Sequence, residues 1–203
     1  LARAIAETRG RSELTELALA LAAAGEPGQA QLVGALAQDW PFDGANRRGE
    51  VRRGAAAALG AVASPGAACV AALIDALSDI DREVRWAALG SIGQLAQRPG
   101  GAALVAPFAG ALGDALLTPD LPPHGARLAL VALGPRAAPA LPALMQALDV
   151  RAKRLSALEV LAVLGPAARP ALPRLLELVR AEGAGALAAA RAVLGCDPPG
   201  DAA

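Results

Sequence analysis

The sequence predicts an all-α chain, an α-α superhelix of about five stacked helix pairs, on three observations. Ala and Leu supply 55 and 33 of the 203 residues, and aromatics only 2%, so the β-branched and aromatic side chains that cover a pleated sheet are scarce. An apolar residue followed by glycine recurs as Leu59-Gly60, Ile92-Gly93, Leu133-Gly134, Leu164-Gly165 and Leu194-Gly195, with glycine spacings of 33, 41, 31 and 30. Gly25 fits the same role more loosely. Periods of this size are the signature of a repeat architecture. The flanking residues also repeat: Val51-Arg52 aligns with Val84-Arg85, and six of the eight positions from Pro135 to Pro142 match those from Pro166 to Pro173. Abundant Ala, Gly, Arg and Pro also fit a GC-rich genome, so periodicity carries more weight than propensity.

The elements follow in order. Residues 1–8 read as the second helix of an earlier pair, which implies a truncated start. Helix pairs are expected over 12–38, 49–78, 82–117, 122–148 and 151–180, with a last helix over 184–194. The first helix of each pair is expected to end at the recurrent glycine, in the left-handed region. Proline then stops it and suits the first turn of the next helix. Second helices carry apolar stripes at i, i+3 and i+7: Val70, Leu73, Leu77; Val105, Phe108, Leu112; Leu141, Leu144, Leu148; and Leu172, Leu175, Val179. First helices place Ala55, Ala58, Ala88 and Ala129 inside, where small residues let helices approach. Asp79 or Asp81 is expected to cap the helix that follows, and Asp149-Val150-Arg151 to play a similar part. Asp39 to Gly49 reads as a loop insertion and Thr118 to His124 as a Pro-rich connection. Residues 196–203 read as a flexible tail. No single unit buries its apolar face alone, so 1–195 is expected to form one domain.

Composition also excludes classes of function. Net charge is zero, from 19 basic and 19 acidic residues, and neither half carries the basic footprint of a nucleic-acid binder. The uncharged run Gly54 to Ile74 is long enough for a bilayer, but Ser64-Pro65-Gly66 breaks it with a turn signal. The N-terminal stretch lacks the apolar core of a signal peptide, so a cytoplasmic location is expected. One His and two Cys, Cys69 and Cys196, cannot supply a four-ligand zinc site. Cys69 reads as a core residue, Cys196 as near-terminal and exposed, and His124 as a solvated loop residue. Asp79, Asp81 and Glu83 read as capping acids and not as a metal cluster. No catalytic, cofactor-binding or metal residue is assigned, and no cofactor is expected.

The segments Val51-Arg52…Ala55-Ala56…Leu59-Gly60 and Asp81…Val84-Arg85-Trp86-Ala87-Ala88…Ile92-Gly93 resemble HEAT repeats, including the short HEAT-like units of phycobilisome lyases. Leu164-Gly165-Pro166…Pro170-Ala171-Leu172-Pro173 is similar to bacterial units of that family. The resemblance covers roughly residues 12–195. It implies that Asp81, Arg85 and Arg52 stabilise neighbouring repeats. The pattern departs at Gly125-Ala126, where Val-Arg is lost.

Seven residues before the recurrent glycines stand Arg53, Trp86, Arg127 and Leu158. Equivalent positions in a solenoid form a row, and Arg and Trp are common interface residues. Arg53, Trp86 and Arg127 are therefore candidate protein-interaction residues, with packing of Trp86 between repeats as the competing reading. Trp40 and Phe42 are a second candidate, set against a loop anchored by its own aromatics. The expected function is a non-enzymatic scaffold or adaptor that binds a protein partner through its curved surface, as a subunit or fragment of a larger assembly. The alternatives are a phycobilin-lyase-like chromophore handler and a HEAT-like nucleic-acid binder. Neither nucleic acid nor membrane is expected as a partner.

Overall fold

The structure, a computed structural model, describes residues 11–37, 45–181 and 185–196. Every regular element among them is helical. In order these are α1 (Arg11–Ala23), α2 (Glu26–Ala37), α3 (Ala45–Ala61), α4 (Ala67–Asp75, extended by a 3-10 turn over Ala76–Ser78), α5 (Arg82–Ala96), α6 (Gly101–Val105, extended by a 3-10 turn over Ala106–Phe108) and α7 (Ala109–Leu117). They continue with α8 (Pro123–Leu133), α9 (Leu141–Ala147), α10 (Arg151–Leu164), α11 (Leu172–Arg180) and α12 (Ala186–Cys196). The fold is an all-α solenoid of helix pairs. It divides into two compact units, with the division between Leu104 and Val105.

In the first unit, α3 packs on α1, α2 and α5. The predicted inner positions are core: Ala55, Ala58 and Ala88 are buried, beside Leu59, Val70, Leu73, Val84 and Ile92. Small residues set the α3–α5 spacing. A Cβ on Gly60 would stand 2.6 Å from Cβ and 2.9 Å from Cα of Ser91, and the Ser91 hydroxyl donates to the Ala56 carbonyl at 2.8 Å. Asp81 caps α5 by accepting from the Glu83 N–H at 2.9 Å, a contribution of about 1 kcal/mol. The uncharged run around Ser64-Pro65-Gly66 is split between α3 and α4, as its turn residues predict.

In the second unit, Gly134 (φ 55) and Gly165 (φ 70) terminate α8 and α10 in a region L side chains rarely adopt. Each glycine opens a 3-10 segment, Gly134–Ala140 and Gly165–Ala171. Prolines 135, 139, 166 and 170 remove the donors that an α-helix needs there. By length and composition the runs Pro123–Ala147 and Arg151–Arg180 are long and apolar enough to cross a membrane, but each is interrupted at its glycine. Ala129, Leu130, Leu144, Leu158, Leu161 and Leu175 fill the core of this unit.

Several expectations are corrected. Gly60, Gly93 and Gly195 do not end helices; they lie within α3, α5 and α12. None of them has a positive φ and no proline directly follows, so the helix runs on past each; Gly60 and Gly195 are instead close-approach positions against Ser91 and the Ala162 carbonyl. Residues 39–44 of the expected loop insertion lie outside the described residues, and residues 45–49 are helical instead, within α3. There Gly49 is a packing glycine, whose Cβ would collide with the Asp81 carboxylate. Asp149 caps nothing: the cap residue of α10 is Val150, which has no side-chain acceptor. Cys196 is the last residue of α12 and is fully buried. His124 is exposed but helical, at the start of α8. Residues 1–8 and 197–203 lie outside the described residues.

Candidate functional site

The residues Arg53 and Trp86 come together at one place. The first helices α1, α3 and α5 enclose an open pocket of about 470 Å³. Its floor is Gly54, Ala57 and Ala58 of α3; Leu19 of α1 and Trp86 of α5 stand on either side, and Arg53 and Glu83 supply charge. The pocket exists because α3 presents residues without bulk there: no heavy atom lies within 4 Å of where a Gly54 Cβ would be.

Trp86 does not vanish between repeats. It is 37% exposed, and the Arg82 guanidinium, one turn earlier, lies 4.6 Å from its ring centroid. Arg82 and Glu83 form a loose surface pair at 3.9 Å. Arg53 is half-buried, and its Nε is buried without a hydrogen-bond partner. An unpaired buried donor is costly, and among the described residues Arg53 Nε is the buried side-chain atom left in that state.

Arg52, Arg85 and Arg98 are engaged. Arg52 clasps Asp79, with Nε donating at 2.7 Å and Nη2 at 3.1 Å. Asp79 also accepts from the Asp81 N–H at 2.8 Å. Arg85 turns back on its own loop, donating to the carbonyls of Asp79 at 2.8 Å and Ile80 at 3.1 Å. Arg98 donates to the Val62 carbonyl. The acid that Arg52 reaches is Asp79, whereas Asp81 serves as the cap and abuts Gly49.

In the second unit, Arg127 donates to Glu159 at 2.5 Å and lies 3.1 Å from His124 Nδ1. Leu158 is fully buried and belongs to no surface row. The reason is helix length: α10 has 14 residues against 11 in α8, so Gly165 comes one turn later and counting back from it misplaces the register. Counting forward from the caps puts Leu155, 54% exposed, at the position of Trp86. Trp40 and Phe42 lie outside the described residues.

Sequence reasoning missed Lys153, the chain's single lysine. It sits at the third position of α10, where α5 has the buried Val84. It is 6% exposed, and its ammonium donates to the carbonyls of Leu121 at 2.8 Å and Thr118 at 3.2 Å. Burial pushes its pKa below the usual lysine value. Burial raises the Cys69 thiol, whose Sγ donates to Gln29 Oε1 at 3.1 Å; that environment disfavours a reactive thiolate. Among the described residues no group of three His, Cys, Asp or Glu converges as a metal site.

Residues 45–115 match the family of HEAT repeats. Two solved structures share the fold. A crystal structure of an engineered protein superposes with a TM-score of 0.64 at 20% identity, covering 96% of this chain and 95% of that one. A designed armadillo repeat protein gives a TM-score of 0.58 at 17% identity, covering 97% of this chain and 100% of that one. No curated protein matches the chain significantly.

Proposed function

From HEAT repeats over residues 45–115, we propose that the chain is a non-enzymatic scaffold that binds a protein partner through the surface built by its first helices. The observation that carries this reading is the Arg53–Trp86 pocket. A partly exposed indole and a guanidinium line one concavity on small residues, and the buried Nε of that guanidinium finds no acceptor among the described residues. Arg and Trp are the side chains that most often dominate binding energy when they sit in pockets. Repeat surfaces hold such groups at fixed spacing, and specificity lies in the residues they present. Arg127 contributes less, because Glu159 already occupies it.

The test is Trp86→Ala and Arg53→Ala, each measured for melting temperature and for retention of co-purifying partners from native extract. The reading expects partners to be lost while the melting temperature changes by a few degrees at most. A large drop in melting temperature with Trp86→Ala would return Trp86 to a packing role and remove the interface.

A further inference from the structure

We propose that the Arg53–Trp86 pocket receives a carboxylate side chain set beside a bulky apolar residue, so that the partner presents an acidic, apolar peptide segment. This rests on the scaffold reading above and names the chemistry of its ligand.

The charges around the pocket point that way. Arg53 lines it and Arg82 covers the Trp86 ring, against one acid, Glu83, among the described lining residues. Arg82 and Glu83 are both more than half-open to solvent or nearly so, and their 3.9 Å separation leaves neither tightly held. Among the described residues Arg53 is the arginine whose buried Nε finds no acceptor. Arg52, its sequence neighbour, has Asp79; Arg127 has Glu159; Arg174 has Asp149 and Glu177. A carboxylate in the pocket would take a charge-assisted bond from the Arg53 guanidinium that lines it.

The remaining walls choose the neighbour of that carboxylate. Leu19 is 47% exposed and Trp86 37% exposed across a floor of Gly54, Ala57 and Ala58. An aliphatic or aromatic side chain between them would cover both. A volume of about 470 Å³ accommodates one such residue and its acidic neighbour. A phosphodiester chain fits less well, because the pocket offers one guanidinium on an apolar bed and an acid at its rim, without the run of cations that a nucleic acid needs.

Trp40→Phe leaves Trp86 as the only tryptophan, and its fluorescence reports occupancy. The probes are end-blocked hexapeptides with Leu, Ile, Phe or Met beside Glu, each paired with a Gln twin, and a single-stranded oligo-dT. The expected result is that Glu peptides bind at least about tenfold tighter than their Gln twins for one or more apolar neighbours, as a charge-assisted bond to Arg implies. Arg53→Gln should bring that ratio near one. Glu83→Gln, an exposed change with little hold on folding, should tighten Glu peptides and leave Gln twins unmoved. Equal binding of the twins overturns the carboxylate assignment while leaving the scaffold reading in place. A ratio that survives Arg53→Gln overturns it too, as does an insensitive Glu83→Gln. Oligo-dT quenching in place of peptide quenching sinks it in favour of nucleic acid. If no peptide perturbs Trp86, the pocket is no peptide site and the scaffold reading loses its carrying observation as well.

Discussion

Arg52 and Asp79 form a two-pronged ion pair across 27 residues, with both side chains nearly buried at 12% and 10% exposure. The carboxylate simultaneously holds the Asp81 N–H, and the Asp79 carbonyl holds Arg85. One acid thus joins α3 to the loop that launches α5.

Breaking this nearly buried ion pair by removing one member is expected to cost about 3 kcal/mol. Asp79→Ala is expected to destabilise more than Arg52→Ala, because it also frees the Asp81 N–H. Urea unfolding of the two single variants and the double variant measures both costs and their coupling. Additive effects, with no coupling beyond about 0.5 kcal/mol, would show that the pair does not act as a unit.

The glycines separate into three mechanisms that one substitution can distinguish. Gly60→Ala drives a Cβ into Ser91 and is expected to cost about 1–3 kcal/mol by overpacking. Gly165→Ala puts an L side chain at φ 70 and is expected to cost about 1 kcal/mol or more through backbone strain. Gly90→Ala lies inside α5 with nothing within 4 Å of the new Cβ, and should stabilise by about 0.5–1 kcal/mol. Thermal melts of the three variants check the order. A neutral Gly60→Ala would mean that α3 and α5 can move apart freely.

That contrast also explains what the sequence could and could not disclose. The recurrent glycines, the Val-Arg pairs and the apolar stripes expose the helix pairs with nearly their observed bounds, because each reports a local requirement: a cap, a stop or a face. Whether a given glycine ends a helix or admits a neighbour depends on what stands opposite it. Ser91 is 31 positions away from Gly60, and no spacing rule names it. The same limit hid the partner of Arg52, since Asp79 and Asp81 look equally suited until the backbone turns. Arg53 and Trp86 were legible as a repeated position. The pocket between them was not, because Leu19 comes from a third helix. Leu158 was misplaced because counting back from Gly165 assumes helices of one length.

Gln29 offers a test of the first unit's polar interior. It is 8% exposed; its amide donates to the Ser64 carbonyl at 3.1 Å, and its Oε1 accepts from Cys69 Sγ and from the Gly66 N–H at 3.4 Å. It thereby fixes the turn between α3 and α4 from α2. Gln29→Leu keeps the volume but orphans a carbonyl and an N–H, so a loss of about 1–3 kcal/mol is expected. Hydrogen exchange should show the loss as faster opening around 64–69. Unchanged protection there would assign the turn's order to Pro65 alone.

Lys153 makes the last prediction, and its sign can be worked out. Its ammonium is desolvated and its folded-state pKa lies below 10.5, the unfolded value. Between those two values the unfolded chain binds more protons than the folded one, so unfolding free energy rises with pH across that window. Below the folded pKa the penalty of a buried cation is present in full. The two carbonyls it serves nevertheless need a donor, so Lys153→Met is expected to destabilise by about 1–3 kcal/mol at neutral pH. The difference between wild type and Lys153→Met should then widen as pH approaches 10.5, because the neutral amine still donates without the desolvation cost. The chain has no Tyr and no other Lys to titrate there. The raised Cys69 thiol works in the opposite direction, its stabilising share falling as pH passes the unfolded value of 9.0, but it is common to both proteins and cancels in the difference. Urea unfolding at pH 7, 9 and 10.5 measures that difference, and a gap that narrows with pH would show that the buried cation stabilises this loop through its charge.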